Sequence, residues 1–339
     1  MRILRGILAV SGHLAGRRAP ANNVHLALFS RALQILAQQE PVRLQKLSAP
    51  DSGIVEMRLE RPEARNAIGR EMLQGLRSAI EKVKADATAN VVLLASSVPK
   101  VFCAGADLKV NALSVPLLNL DRFSAHTIVS EKNGECFERR LMSPCEVREF
   151  VNSLRSTFLS FEALSIPTIA IVEGAAFGGG LELALSCDLR ICGENATFSL
   201  PETGLAIIPG YVFKMALYFC KAGGTQRLPR IVGKSRAKEL IFTGRRFDAV
   251  EAVTMGVVNY CVPAGEAYKR ALELAQEINQ KGPLAIRMAK KAINQGMEVD
   301  LSAGLAVEEE CYEQVLHTQD RLEGLAAFAE KRKPVYTGK

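Results

Sequence analysis

From residue 54 onward, short apolar runs rich in β-branched residues alternate with stretches of helical periodicity, and this alternation restricts the fold more than any other feature. IVEMRL at 54–59 precedes a helical pattern over about 70–84, and VVLLASS follows. A second round runs through VREFVNSLRSTFLSFEAL, PTIAIVEG and a helix opening at Gly178. The segments 91–95 and 168–172 are nearly unbroken in apolar residues, as strands covered on both faces must be. An α/β core is therefore predicted. After Pro263 the pattern becomes helical over 266–278, 283–296 and 301–316, which predicts a helical C-terminal subdomain. The closing EKRKPVYTGK reads as a solvated basic tail.

The first 43 residues behave differently: six arginines are spaced among Leu, Ile and Ala, and no acidic residue precedes Glu40. This is the composition of an amphipathic import leader, and mitochondrial entry into the matrix is the expectation. A secretory signal fits less well, because the apolar stretch is short, is broken by His13, and leads into more arginines. Of the formal charge of +7, five units belong to this leader, so the remainder is near neutrality and gives no reason to expect a polyanionic partner. The predicted organisation is a leader and linker at 1–43, a core at 44–263 and the helical subdomain at 264–339.

No segment approaches the roughly 20 apolar residues that a membrane span needs. The eight cysteines form no CxxC pair and no Cys/His cluster has zinc-site spacing, so neither a structural metal nor a disulfide framework is expected.

Two glycine-rich loops, FCAGADLK at 102–109 and EGAAFGGGLELA at 173–184, each precede a helical pattern. Such loops leave backbone N–H groups free to face an anion, and two of them together can converge on one thioester oxygen as it gains charge. Neither has GxGxxG or GK[ST] spacing, so no nucleotide cofactor is expected. Glu182 follows the second loop, and Glu202 lies in FSLPETGLAIIPG. Apolar and small residues flank both, which predicts partly desolvated carboxylates with pKa values displaced upward into a range useful for proton transfer. No GxSxG elbow occurs, so serine hydrolysis is disfavoured.

FCAGADLK, GGGLELALSCDLRI, FSLPETGLAIIPG and AGGTQRLPRIVG, in this order, resemble the signature segments of the enoyl-CoA hydratase/isomerase (crotonase) family. Within it the chain looks most similar to plant mitochondrial enoyl-CoA hydratases, then to the methylglutaconyl-CoA hydratase branch. The resemblance implies a spiral of repeated ββα units with the helical tail packed on the core and on neighbours, in a homotrimer or a dimer of trimers. It places the N–H groups of Ala106 and Gly179 in an oxyanion hole, and Arg65, Asn66, Ala104, Asp107 and Leu108 around an acyl-CoA thioester. Coenzyme A would then be part of the substrate, with no separate cofactor. It matches Glu182 and Glu202 to the pair of acids that holds a water in hydratases. Adding water requires one group to take a proton and another to supply one, so two acids favour hydration of a trans-2-enoyl-CoA over isomerisation.

Two stretches depart from the family pattern: 110–137, where the family joins almost directly, and 211–221, which splits IIPG from AGGTQRL. Their flanks rejoin into family sequence, so they are expected to impair activity or solubility rather than create a lid. The remaining alternatives are an enoyl-CoA isomerase, a methylglutaconyl-CoA hydratase and, from another class, an RNA-binding homologue. The helix that would bind RNA, GREMLQGLRSAIEKVKADA, has its cations interrupted by Glu71, Gln74, Glu81 and Asp86, which argues against nucleic acid.

Overall fold

The computed structural model describes residues 40–106, 143–209 and 223–339. Residues 1–39 of the stretch expected to be a leader, Asp107, Leu108 and both departures from the family pattern lie outside the described residues.

Among the described residues two sheets form. The larger has strand order β1(Val42–Lys46), β2(Ile54–Leu59), β3(Val91–Ser96), β5(Thr168–Val172), β7(Leu189–Gly193) and β10(Tyr260–Val262). All neighbours run parallel except β1, which pairs antiparallel with β2 from Val42 opposite Leu59 to Lys46 opposite Val55. The smaller sheet has the order β4(Val101–Cys103), β6(Ala175–Phe177), β8(Thr197–Ser199) and β9(Phe247–Asp248). Each turn of chain thus lays one strand in the large sheet and the next in the small one, as the pairs β3–β4, β5–β6 and β7–β8 do in succession. That repetition matches the spiral of ββα units expected from sequence.

The unbroken apolar strands are buried on both faces. Val92, Leu94, Ala170 and Val172 face a cluster that includes Leu73, Leu76 and Ile80 of α1(Arg70–Ala85) and Phe158 and Phe161 of α2(Pro144–Glu162). Their alternates Val91, Leu93, Ile169 and Ile171 face Ala267, Ala271 and Ala275 of a later helix, Ala267–Asn279. Each fully buried Leu or Ile contributes about 1.5–3 kcal/mol relative to exposure, so the helices are held by the sheet rather than by local propensity. Three alanines on one helical face let that helix lie close to the sheet. A capping box starts α2: Ser143 Oγ accepts from Glu146 N while Ser143 N donates to Glu146.

Between the sheets and the C-terminus lie α3(Gly179–Leu185), α4(Gly224–Val232), α5(Lys234–Thr243) and α6(Ala249–Thr254). The last four helices are α7(Ala267–Asn279), α8(Pro283–Gly296), α9(Leu301–Leu316) and α10(Gln319–Glu330). Three of them fall within a residue or two of the periodic stretches read from sequence, and α10 adds a helix that the sequence reading did not single out. Glu173 accepts hydrogen bonds from Gly265 N and Ala267 N at 2.9 and 2.7 Å, which satisfies the first donors of α7. Lys290 of α8 reaches Asp188 at 2.7 Å, and Asp188 also accepts from Thr168 N and Oγ1. This links the helical region to the end of β5.

One boundary needs correction. Strand β1 begins at Val42, a 3% exposed core residue, so the folded core takes in the end of the stretch assigned to the leader. The basic tail is largely exposed, as its composition predicts, but it is fastened to α10: Arg332 pairs with Glu323 at 2.6 Å, Asp320 accepts from Thr337 N and Gly338 N, and Asp320 N donates to Lys339 O. Of the tail's cations, Arg332 is paired, with Glu323 of α10 and with Glu330.

Candidate active site

Strand β6 ends at Phe177 and α3 starts at Gly179, leaving Gly178 to turn the chain at φ +50°, ψ −123°, a conformation that a side chain makes costly. A methyl group on Gly178 would also lie 2.9 Å from Glu202 Oε1. The turn is held from the other side by Gly178 N, which donates to Ser199 O at 2.9 Å. Glycine is thus required twice, for the backbone angle and for the approach of a carboxylate.

Gly179 is the first residue of α3, so its N–H has no acceptor within the helix. Beside it runs the end of the first glycine-rich loop: a methyl on Gly179 would sit 3.7 Å from Ala106 N. Ile68 N donates to Gly105 O at 2.7 Å as part of a parallel bridge between Ile68 and Ala106. In such a bridge the N–H of Ala106 itself points away from Ile68. The two donors expected from sequence are therefore neighbours at the start of a helix.

Glu182 lies in the first turn of α3 and is 2% exposed, a deeper burial than the partial desolvation expected. Its Oε1 accepts from Gly224 N at 2.7 Å, the first residue of α4. Glu202 is half-buried in the 3-10 turn Pro201–Leu205 that follows β8, with Oε2 buried. Thr203 Oγ1 donates to Ile241 O at 2.8 Å and ties this turn to α5. Glu202 thus approaches the Gly178–Gly179 turn beside two backbone donors, and the buried Glu182 lies in the first turn of the helix that this turn opens. Such a set can polarise a carbonyl oxygen and move protons to and from a water.

Arg65 ends a 3-10 turn, Pro62–Ala64, in the left-handed region at φ 50°, is exposed, and its carbonyl accepts from Ala104 N at 3.1 Å. Asn66 is fully buried, and its amide is used inside the fold: Oδ1 accepts from Arg61 N, while Nδ2 donates to Ser96 Oγ and Phe102 O at 2.8 and 2.9 Å. These bonds fix the end of β4, and so the loop carrying Ala104 and Ala106. Asp107 and Leu108 are outside the described residues.

The sequence reading gave no role to Gly224 or to its neighbour Arg227, although both lie in the quoted AGGTQRL segment. Arg227 donates from Nε and Nη2 to the two oxygens of Glu162 at 3.0 and 2.6 Å. The signal was an arginine three residues after a paired glycine, and its acceptor, 65 positions earlier, has no mark in sequence. On the helix considered for RNA, Arg77 donates to Thr157 Oγ1 at 2.9 Å and to Ser153 Oγ at 2.6 Å, so this cation is committed to α2. Among the described residues no cluster of His, Cys, Asp and Glu could hold a metal, and no helix is long and apolar enough to cross a membrane.

Comparison with known proteins gives four consistent findings. The enoyl-CoA hydratase/isomerase family profile matches residues 50–121 and 146–339. The chain is 55% identical over 325 residues to "Probable enoyl-CoA hydratase 2, mitochondrial" of Arabidopsis thaliana, covering 96% of this chain and 95% of that one. It is also 42% identical over 304 residues to the mouse (Mus musculus) "Methylglutaconyl-CoA hydratase, mitochondrial", covering 88% of this chain and 84% of that one. Among solved structures it is similar to an enoyl-CoA hydratase from Bacillus anthracis, with a TM-score of 0.74 at 40% identity, covering 88% of this chain and 100% of that chain.

Proposed function

The chain belongs to the enoyl-CoA hydratase/isomerase family, and from that premise we propose that it hydrates trans-2-enoyl-CoA thioesters to 3-hydroxyacyl-CoA. The observations that carry this reading are Glu202 Oε1 lying against Gly178, Ala106 N lying next to Gly179, and a buried Glu182 in the first turn of the helix that Gly179 opens. In the proposed reaction the thioester oxygen sits between the N–H groups of Ala106 and Gly179. One carboxylate takes a proton from water as its oxygen bonds to the β-carbon. The electron pair of the double bond moves to the α-carbon and the thioester oxygen, and a carboxyl group then returns a proton to the α-carbon. Atoms and charge balance, and no redox or metal step is needed.

A second reading, hydration of a branched methylglutaconyl-CoA, is supported by the 42% identity to the mouse enzyme of that name. Degradation of straight or branched acyl-CoA would be its setting, and the mitochondrial names of the relatives together with the arginine-rich leader support a place in the matrix. Exposed apolar side chains on the last helices, Met297 at 80%, Leu301 at 79% and Phe328 at 86%, support assembly into trimers or dimers of trimers. The deciding experiment is to incubate the protein, without its leader, with straight and branched enoyl-CoA esters and follow loss of the conjugated thioester absorbance. Turnover of straight chains supports the first reading, preference for methylglutaconyl-CoA the second, and conversion of 3-enoyl to 2-enoyl esters without hydration would replace both.

A further inference from the structure

We propose that Arg227 is a positioning residue for Glu182, acting through the backbone of Gly224. This rests on the reading of Glu182 as a proton-transfer group. Arg227 of α4 is 10% exposed at its side chain and binds Glu162, the last residue of α2, through two parallel contacts of 3.0 and 2.6 Å. A two-point Arg–carboxylate pair sets orientation as well as distance. The guanidinium folds back under the start of its own helix, since any Cβ on Gly223 would overlap Arg227 Nη1. Gly223 has φ +109°, so a side chain is excluded there by backbone angle as well as by space.

One residue later Gly224 N points at Glu182 Oε1, 2.7 Å away. Gln226 N and Arg227 N both donate to Gly223 O, at 2.9 and 2.7 Å, so the side chain of Arg227 and the peptide that holds Glu182 belong to one short rigid turn. The other anchor is well placed. Glu162 ends α2, and Ala163 and Leu164 complete that helix's last hydrogen bonds before β5 leads to β6 and α3. The pair therefore joins the element that precedes Glu182 in the fold to the helix end that orients its carboxylate. A displacement of about 1 Å in a proton-transfer group costs on the order of 10²-fold in rate, so a partial loosening is readable in kinetics.

The test uses the full chain without its leader and the variants Arg227→Gln, Arg227→Lys and Glu162→Gln, each first shown to be folded by circular dichroism. Arg227→Gln is expected to lose about 10-fold in kcat with KM within about twofold. The acidic limb of its kcat/KM profile should move to higher pH, because a carboxylate that loses an N–H donor holds its proton more tightly. Arg227→Lys should recover part of the rate, since a single ammonium keeps the charge but not the two-point geometry. Glu162→Gln, which keeps side-chain volume, should shift the profile in the same direction and serves if Arg227→Gln does not fold. Isotope-edited infrared titration of the Glu182 carboxylate, identified by its absence in Glu182→Gln, gives a second readout independent of turnover. A folded Arg227→Gln or Glu162→Gln with an unchanged Glu182 titration and, where hydration occurs, unchanged kcat overturns the proposal. Absence of hydration by the unaltered chain overturns the proposed reaction instead, and the infrared titration still decides whether Arg227 positions Glu182.

Discussion

Gly224 N donates to Glu182 Oε1 at 2.7 Å, so a carboxylate that is 2% exposed is held by the first backbone amide of a helix that begins 42 residues further along the chain. A buried carboxylate without donors would take up a proton or move. This donor fixes Oε1 against the start of α4.

Replacing Glu182 or Glu202 by Gln is expected to lower kcat by about 10²-fold or more with KM little changed, because each removes a proton transfer and leaves substrate contacts in place. Steady-state kinetics on a short enoyl-CoA check this. Near-normal turnover by either variant would reject that residue's role.

Gly178→Ala is expected to cost about 1 kcal/mol or more in stability, because φ +50° with ψ −123° is unfavourable for a side chain. It should also lower kcat, since the new methyl would sit 2.9 Å from Glu202 Oε1 and displace it. Thermal melting and kinetics together test this, and an active, equally stable variant would show that the turn tolerates a side chain.

Burial pushes the thiols of Cys103 and Cys187 up to about 12, so both stay protonated at pH 8 and cannot act as nucleophiles there. Among the described cysteines, exposed Cys145 should take up iodoacetamide first, with Cys103 and Cys187 labelled only after unfolding. Since their folded pKa values lie above the ordinary 9.0, their contribution to stability is complete below pH 9 and is lost as pH rises toward about 12. Mass spectrometry of labelled peptides and melting curves between pH 8 and 12, a range set by those values, measure both effects. Early labelling of Cys103 in folded protein would contradict the burial.

Leader composition alone implies a start between about residues 31 and 51, and the structure narrows the expected start to between residues 31 and 42, because Val42 opposite Leu59 opens the β1–β2 pairing. N-terminal sequencing of the organellar protein checks it. A start beyond residue 46 would mean that β1 is dispensable.

Deleting 110–137 and 211–221 together is expected to give a more soluble protein with higher kcat/KM on a short enoyl-CoA. The second stretch carries Tyr211, Phe213, Met215, Leu217 and Phe219, which is too apolar for a solvated loop. Its flanks already meet: a methyl on Gly224 would lie 2.9 Å from Pro209 Cβ, so a short join suffices. Faster turnover and equal solubility in the undeleted chain would make the stretches functional.

The central strands β2, β3 and β5 and the helices α1, α7, α8 and α9 were legible in sequence because their signals are local. Unbroken apolar runs at 91–95 and 168–172 must be covered on both faces, and apolar residues at helical spacing must face the sheet. The two glycine-rich loops and the two glutamates were likewise visible as residue types in apolar surroundings. Tertiary structure alone decided what touches them. Gly224 N on Glu182, Glu162 on Arg227 and Asp320 on the C-terminal tail join positions 42, 65 and 17 residues apart, and a hydrogen bond depends on distance and angle in space, which spacing along the chain does not encode. The same reason explains the tail, whose basic composition predicted solvation although carboxylates on α10 claim its arginine and its amides.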